Sequence, residues 1–167
     1  MSPEQKLAEV LTTLGYGQDP ECRDTARRVT ELLRSWAPAG SPPTVEACEY
    51  RGMSPIVLRD LRFYSLCAHH LLPFFGTCDV VHRPEGAIAG LGYFPKVLQH
   101  FSHRPQIQER LCEQVGLHLH ESLGGSLLVR MRARHMCMEM RGTGNGAEVE
   151  TFFARGPHNK ELMDYLR

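Results

Sequence analysis

The sequence carries no excess charge of either sign. Its 167 residues include 19 Lys+Arg and 19 Asp+Glu, so the formal net charge is zero. It also lacks an apolar run long enough to span a bilayer, and its first residues mix charged with apolar side chains, unlike a secretory signal peptide. We therefore expect no nucleic-acid partner, no membrane partner attracted by bulk charge, and a cytoplasmic protein.

A disulfide framework is also not indicated. The chain has six cysteines, but they are scattered unevenly along a sequence that is not short and has no secretory signal. This arrangement favours reduced cysteines, some of them in a metal site.

A helical arm is predicted to precede a more β-rich body. Helical apolar spacing over residues 3–14 and 19–36 is followed by the breaker-rich linker 37–43. We predict two domains, 1–43 for the arm with its linker and 44–167 for the body. In the body the patterns predict strands at 44–50, 55–64, 74–83, 127–140 and 147–154, and helices at 94–102, 105–123 and 158–166. The order indicates an α+β fold, an antiparallel sheet with helices on one face.

Cys67 and His70 give the sharpest local signal. They stand three residues apart in Ser65-Leu-Cys-Ala-His-His70, where a tight turn can direct both side chains at one ion. Taken alone, a Cys-x-x-His pair is weak evidence, because free cysteines are often small buried hydrophobes.

Cys137 is the best candidate for a third ligand. If 127–140 is one strand, its side chains alternate between two faces. Three methionines then share one face, and the other face carries a histidine, a thiol, a carboxylate and a guanidinium, namely His135, Cys137, Glu139 and Arg141. A strand that only packs in a core does not need such a face.

Two thiolates and one imidazole suit Zn²⁺, and three protein ligands leave a fourth position for water. Zinc lowers the pKa of such a water until it is a nucleophile near neutral pH. His69 and His135 adjoin the ligands and are candidates for general acid–base catalysis.

The chain resembles the GTP cyclohydrolase I family over most of residues 15–167. The resemblance rests on several motifs in matching order and spacing. They are Cys67-Ala-His-His-Leu-Leu-Pro-Phe74, Gly90-Leu91, Arg104-Pro-Gln-Ile-Gln-Glu-Arg-Leu111, His135-Met-Cys-Met138 and Arg141-Gly142.

This resemblance implies the tunnelling fold, an oligomeric barrel that is usually a decamer, with active sites between subunits. By position, Cys67, His70 and Cys137 resemble the family's zinc ligands, and His69 and His135 its catalytic histidines. Glu109, with Gln108 beside it, resembles the carboxylate that anchors guanine. By position, the cationic groups that the family places around the triphosphate correspond to Arg28, Lys96 and Arg141. The implied reaction converts GTP to dihydroneopterin triphosphate and formate.

The departures from the family cluster at the phosphate end. Gly92-Tyr93 stands where the family has Ser-Lys, and Lys96 replaces an arginine. Glu139 adds a carboxylate to the face predicted to border the site. Tyr93 offers an aromatic face and one hydroxyl, which suit a sugar or bare ring better than a polyanion.

Several functions remain open. The leading one is GTP cyclohydrolase I activity, and the second is ring opening of a related purine with fewer phosphates or none. A third is an inactive, zinc-stapled oligomer that binds a partner; His69, His135 and Glu109 argue against it, since a staple needs none of them. A nitrile reductase, which uses no zinc, is disfavoured by the full Cys–His–Cys set.

Overall fold

The computed structural model describes residues 1–37, 40–142 and 144–167. Residues 38 and 39 of the predicted linker, and Thr143 between the predicted strands 127–140 and 147–154, lie outside the described residues. The described chain separates into two compact units, Met1–Ala37 and the remainder. The predicted boundary at residue 43 remains a prediction, and each unit is described by itself.

The N-terminal unit contains two helices, α1 (Pro3–Thr13) and α2 (Thr25–Ser35). Helix α1 begins at a capping box, in which the Ser2 hydroxyl accepts from the Gln5 amide and the Gln5 side chain accepts from Ser2 N–H. Such a reciprocal cap satisfies backbone donors that a helix start leaves free. Two short 3-10 turns, Tyr16–Gln18 and Pro20–Cys22, connect the helices.

The second unit is built on a five-stranded sheet in the order β5-β2-β3-β6-β7. Its strands are β2 (Ile56–Cys67), β3 (Pro73–Arg83), β5 (Pro105–Gln106), β6 (Ser126–His135) and β7 (Val149–Arg155). All neighbours are antiparallel except β5, which runs parallel to β2. The strand predicted at 44–50 is present as β1 (Ala47–Tyr50). It pairs with β4 (Gly86–Ala89) in a separate two-stranded sheet.

Helices α3 (Tyr93–Ser102) and α4 (Gln108–Leu123) cover one face of the large sheet. Their buried side chains join Phe63, Phe74 and Met131 in the main core. The short C-terminal helix α6 (Asn159–Leu162) and the 3-10 turn Met163–Leu166 pack against the opposite face. The expectation that all helices lie on one face therefore holds for α3 and α4 but is wrong for α6.

Two predicted boundaries are wrong where the site lies. Helix α4 begins at Gln108 and not at 105. Residues 105–106 instead form β5 beside the end of β2. The predicted strand 127–140 ends at His135, and residues Met136–Glu139 form a helical turn, α5.

Candidate metal centre and surrounding site

A tight turn after β2 brings Cys67 and His70 together. The carbonyl of Cys67 accepts from the backbone N–H groups of His70 and Leu71, and the Cys67 N–H donates to Leu72 O. Leu71 adopts a left-handed φ of 53°, which a non-glycine residue adopts only at some cost. The result places His70 Nδ1 3.7 Å from Cys67 Sγ.

Cys137 joins this pair from the helical turn α5. The donor atoms of Cys67, His70 and Cys137 all lie within 4.8 Å of one another. The predicted ligand set is thus brought together, but the strand alternation used to find Cys137 is wrong. Met140, which that alternation assigned to the core, is 68% exposed.

The three donors fit a tetrahedral metal ion. In a tetrahedral site, zinc–sulfur and zinc–nitrogen bonds of ordinary length place the sulfur and the nitrogen about 3.5 Å apart. This is close to the 3.7 Å observed between Cys67 Sγ and His70 Nδ1. Burial and the neighbouring Cys67 sulfur raise the pKa of Cys137. Two thiolates this close repel each other, and a bound cation would offset that repulsion, so this donor set is one that could hold a metal ion.

The other buried cysteines differ from the two ligands. Cys78 and Cys112 are fully buried in the main core. Burial raises the pKa of Cys112 to about 11, and raises that of Cys78 as well. These thiols stay protonated and act as small core side chains.

His135 is held rigidly at the end of β6. Its ring stacks on Phe74, its cross-strand partner, with centroids 4.8 Å apart and planes 1° from parallel. Its Nε2 lies 2.7 Å from Gln108 Oε1. Burial lowers the pKa of His135, an effect that Glu109 partly opposes, so the ring favours its neutral form.

Gln108 and Glu109, both predicted to contact substrate, differ in placement. Gln108 is 1% exposed, and its amide bonds to Met131 O, Val149 O and His135. The polar atoms of Gln108 are thus paired inside the chain, and its contact with substrate stays a prediction. Glu109 is exposed in the first turn of α4, where the helix N-terminus favours a carboxylate.

Two further predicted residues lie at the metal centre. His69 is exposed in the same turn, with Nδ1 3.8 Å from Cys67 Sγ. The Arg141 guanidinium contacts the His70 imidazole. Arg141 therefore lies beside a predicted metal ligand, where its charge also lowers the pKa of Cys137 against the larger effect of burial.

Tyr93 and Lys96 line one pocket of about 310 Å³ with Thr44, Glu46, Gly90 and Gly92. Tyr93 is buried, and its hydroxyl bonds with His118 Nε2 and Ser122 Oγ, both at 3.0 Å. Its hydroxyl is thus used within the chain, and only its ring is left to border the pocket. Lys96 is exposed and shares the pocket with the carboxylate of Glu46.

The Glu139 carboxylate is paired with Arg134. It lies on α5, and its Oε1 accepts from Arg134 Nε at 2.8 Å, with a second bond from the same guanidinium. Because Arg134 offsets the charge of Glu139, this carboxylate adds less negative charge to the site than the sequence alone indicates. Arg28 lies in α2 of the N-terminal unit, where it pairs with Asp24 at 3.6 Å.

Comparison with known proteins agrees with this geometry. The family model described as GTP cyclohydrolase I matches residues 3–164. The GTP cyclohydrolase 1 of Sulfurihydrogenibium sp. (strain YO3AOP1) is 40% identical over 142 residues, covering 81% of this chain and 75% of that protein. The GTP cyclohydrolase 1 of Aquifex aeolicus (strain VF5) is 36% identical over 163 residues, covering 94% and 89%.

A solved structure supports the fold alone. The apo crystal structure of the archaeosine synthase QueF-Like has a TM-score of 0.51 and 20% identity, covering 64% of this chain and 98% of that one. The fold and site thus define a tunnelling-fold protein with a candidate metal centre. This chain belongs to the GTP cyclohydrolase I family. Among the described residues, no helix is both long and apolar enough to cross a membrane.

Three features of the site were missed by sequence reasoning. They are the stacking of Phe74 on His135, the Arg134–Glu139 pair and the inward bonding of Gln108. The first depends on the register of β3 against β6, two strands that are far apart in the sequence. The other two depend on helix boundaries that the pattern placed wrongly.

Proposed function

We propose that this chain is a zinc-dependent GTP cyclohydrolase I, which converts GTP and water to dihydroneopterin triphosphate and formate. The observation that carries the proposal is the gathering of Cys67, His70 and Cys137 within 4.8 Å beside a rigidly held, neutral His135. Family membership supports the substrate class, and the geometry supports the residues that we propose act on it.

The metal is proposed as zinc, held by Cys67, His70 and Cys137. Two thiolates with one imidazole are a ligand set that zinc accepts, and three protein ligands are typical of catalytic sites. When bound, the ion supplies Lewis-acid chemistry that makes water nucleophilic near neutral pH.

The remaining residues bind the purine and move protons. The exposed Glu109 accepts hydrogen bonds from the ring N–H and amino group of guanine, which fixes the purine. Water adds to the carbon between the two imidazole nitrogens, and a neutral His135 takes and returns protons as the ring opens. A second water releases formate, and reclosure after the sugar rearrangement returns one water, so the sum consumes one. His69 is a second candidate for these proton transfers.

We also propose a homo-oligomer, most simply the family's decamer, with sites shared between chains and Arg28 contributing to triphosphate binding. Family membership supports this assembly. Light scattering of the purified protein tests it, and a stable monomer that is fully active would contradict it.

A second candidate function is ring opening of a guanine-type purine with fewer phosphates or none. The specific observation lies in the Gly92–Lys96 segment, where Tyr93 stands in place of the family's lysine. The Tyr93 hydroxyl forms hydrogen bonds with His118 and Ser122 inside the chain. Lys96 shares its pocket with an acidic residue, Glu46. Glu139 does not support this second function, because Arg134 forms an ion pair with it.

One assay separates the candidates. Zinc-loaded protein is incubated with GTP, guanosine 5′-monophosphate, guanosine and guanine, and loss of purine absorbance and formation of formate are followed. Dihydroneopterin triphosphate from GTP at the highest kcat/KM supports the first proposal. Formate from a less phosphorylated purine in preference to GTP supports the second, and no formate from any substrate contradicts both.

A further inference from the structure

The orientation of the Gln108 side-chain amide is fixed by its surroundings. Its Nε2 donates to Met131 O at 3.1 Å and to Val149 O at 2.9 Å. Carbonyl oxygens only accept hydrogen bonds, so the amide cannot be turned around without setting its own oxygen against them. The oxygen of the amide is therefore the atom that meets His135.

This orientation fixes the proton on His135. Gln108 Oε1 can only accept, and it lies 2.7 Å from His135 Nε2. The histidine nitrogen must then be the donor, Nε2–H. In a neutral imidazole the other nitrogen, Nδ1, carries the lone pair. Phe74 fixes the plane of the ring by stacking, and Gln108 fixes the rotation of the ring within that plane.

We propose that Gln108 is a positioning residue that holds His135 in the Nε2–H tautomer and leaves Nδ1 as the atom that takes and returns the proton. The role of His135 in proton transfer rests on the proposed function. The tautomer itself rests only on the contacts of Gln108, which is buried and reaches His135 from the first residue of α4.

A purely structural role is the competing explanation. Gln108 ties α4 to Met131 in β6 and to Val149 at the start of β7. Removing these bonds would loosen the sheet edge whether or not the tautomer matters. The test must therefore report on the His135 proton and not only on stability or turnover.

Three variants separate the two roles. Gln108→Met removes both the acceptor for His135 and the donors for the strands. Gln108→Glu keeps an oxygen facing His135 in either ionisation state but loses the amide donors. Gln106→Met is the matched control: Gln106 is equally buried, and its amide bonds to Phe101 O, Gln114 and Arg110, not to His135.

The decisive readout is the His135 tautomer in the zinc-loaded protein without substrate. It is read from ¹⁵N spectra of histidine-labelled protein, with the His135 signals assigned by difference from His135→Asn. We expect Nε2–H in the parent, in Gln108→Glu and in Gln106→Met, and a shift toward Nδ1–H in Gln108→Met. We expect kcat to fall about 10- to 100-fold in Gln108→Met, with most of it restored in Gln108→Glu.

Two results would overturn the proposal: a parent protein with the proton on Nδ1, or a Gln108→Met variant that keeps pure Nε2–H. If the methionine variant does not fold, the parent tautomer alone decides. A parent with Nε2–H that turns over no purine would remove the proposed function and leave the positioning role intact.

Discussion

The two ends of the candidate site are organised differently. At the metal end, backbone hydrogen bonds of the Cys67–Leu72 turn set the ligands, and His135 is fixed by Phe74 and Gln108. At the Gly90–Lys96 end, Tyr93 uses its hydroxyl inside the chain and Lys96 is exposed in an open pocket. The first end is preorganised for chemistry, and the second offers one exposed cation.

This difference indicates where substrate specificity is set. Preorganised donors and a fixed base are what a ring-opening reaction needs, whichever purine enters. A pocket with one lysine and one carboxylate binds a polyanion less strongly than a cluster of cations would. We therefore expect changes at the metal end to abolish turnover, and changes at the other end to alter only the preference among phosphorylated purines.

The largest effect is expected from Cys137→Ala. Losing one of three ligands should release the metal and reduce formate production to background, because the remaining pair holds the ion weakly. Metal analysis and formate assay measure both. Cys112→Ala, which removes a core thiol, is the control and should keep its metal. Full metal retention in Cys137→Ala would remove this cysteine from the site.

His135→Asn should lower kcat by about 10²- to 10³-fold, a usual range for a lost general acid–base, while metal content stays unchanged. His158→Asn, at a surface histidine that pairs with Glu161, is the control. Turnover that is unchanged in His135→Asn would exclude this residue from proton transfer and leave His69 as the candidate.

Glu109→Gln should raise KM by about 10- to 100-fold for every guanine-type substrate, since a hydrogen bond to a charged group is worth roughly 1.5–3 kcal/mol. Metal content should not change. Glu113→Gln, one turn further along α4 and also exposed, is the matched control. An equal effect in both variants would mean that Glu109 acts through the helix and not on the purine.

The smallest effect is expected from Lys96→Ala. It should lower kcat/KM for GTP by about tenfold and leave guanosine unaffected, because an exposed lysine contributes a single charge-assisted contact. Lys160→Ala, at an exposed lysine on α6, controls for net charge. A loss that is equal for GTP and guanosine would show that Lys96 does not meet phosphate.

The metal ligands could be predicted from the sequence because residue type and local spacing carry the information. Cys67 and His70 lie in one turn, so their approach needs no knowledge of the rest of the fold. Cys137 was predicted from the alternation of side chains along a strand, but strand β6 ends at His135, two residues before Cys137. The donor atom of Cys137 still lies within 4.8 Å of those of Cys67 and His70, because β6 ends close to them whether residue 137 lies in a strand or in a helical turn.

Roles that depend on long-range pairing could not be read from the sequence. Gln108 adjoins Glu109 and resembles a substrate contact, yet its side-chain amide donates to Met131 O and Val149 O inside the chain. The parallel pairing of β5 with β2, which precedes Gln108, lasts only two residues and begins at Pro105, so its pattern is too short to distinguish from a helix start. The same limit explains Glu139, whose partner Arg134 depends on where β6 ends.

The most direct test of the account is a metal titration. Metal-free protein is loaded stepwise with Zn²⁺, and bound zinc per chain is measured alongside formate released from GTP and guanosine. We predict that formate formation rises linearly with occupancy and reaches its plateau at one zinc per chain, with no such rise in Cys137→Ala. Formate production that is independent of occupancy, or absent at full loading, would contradict a metal-dependent purine hydrolase.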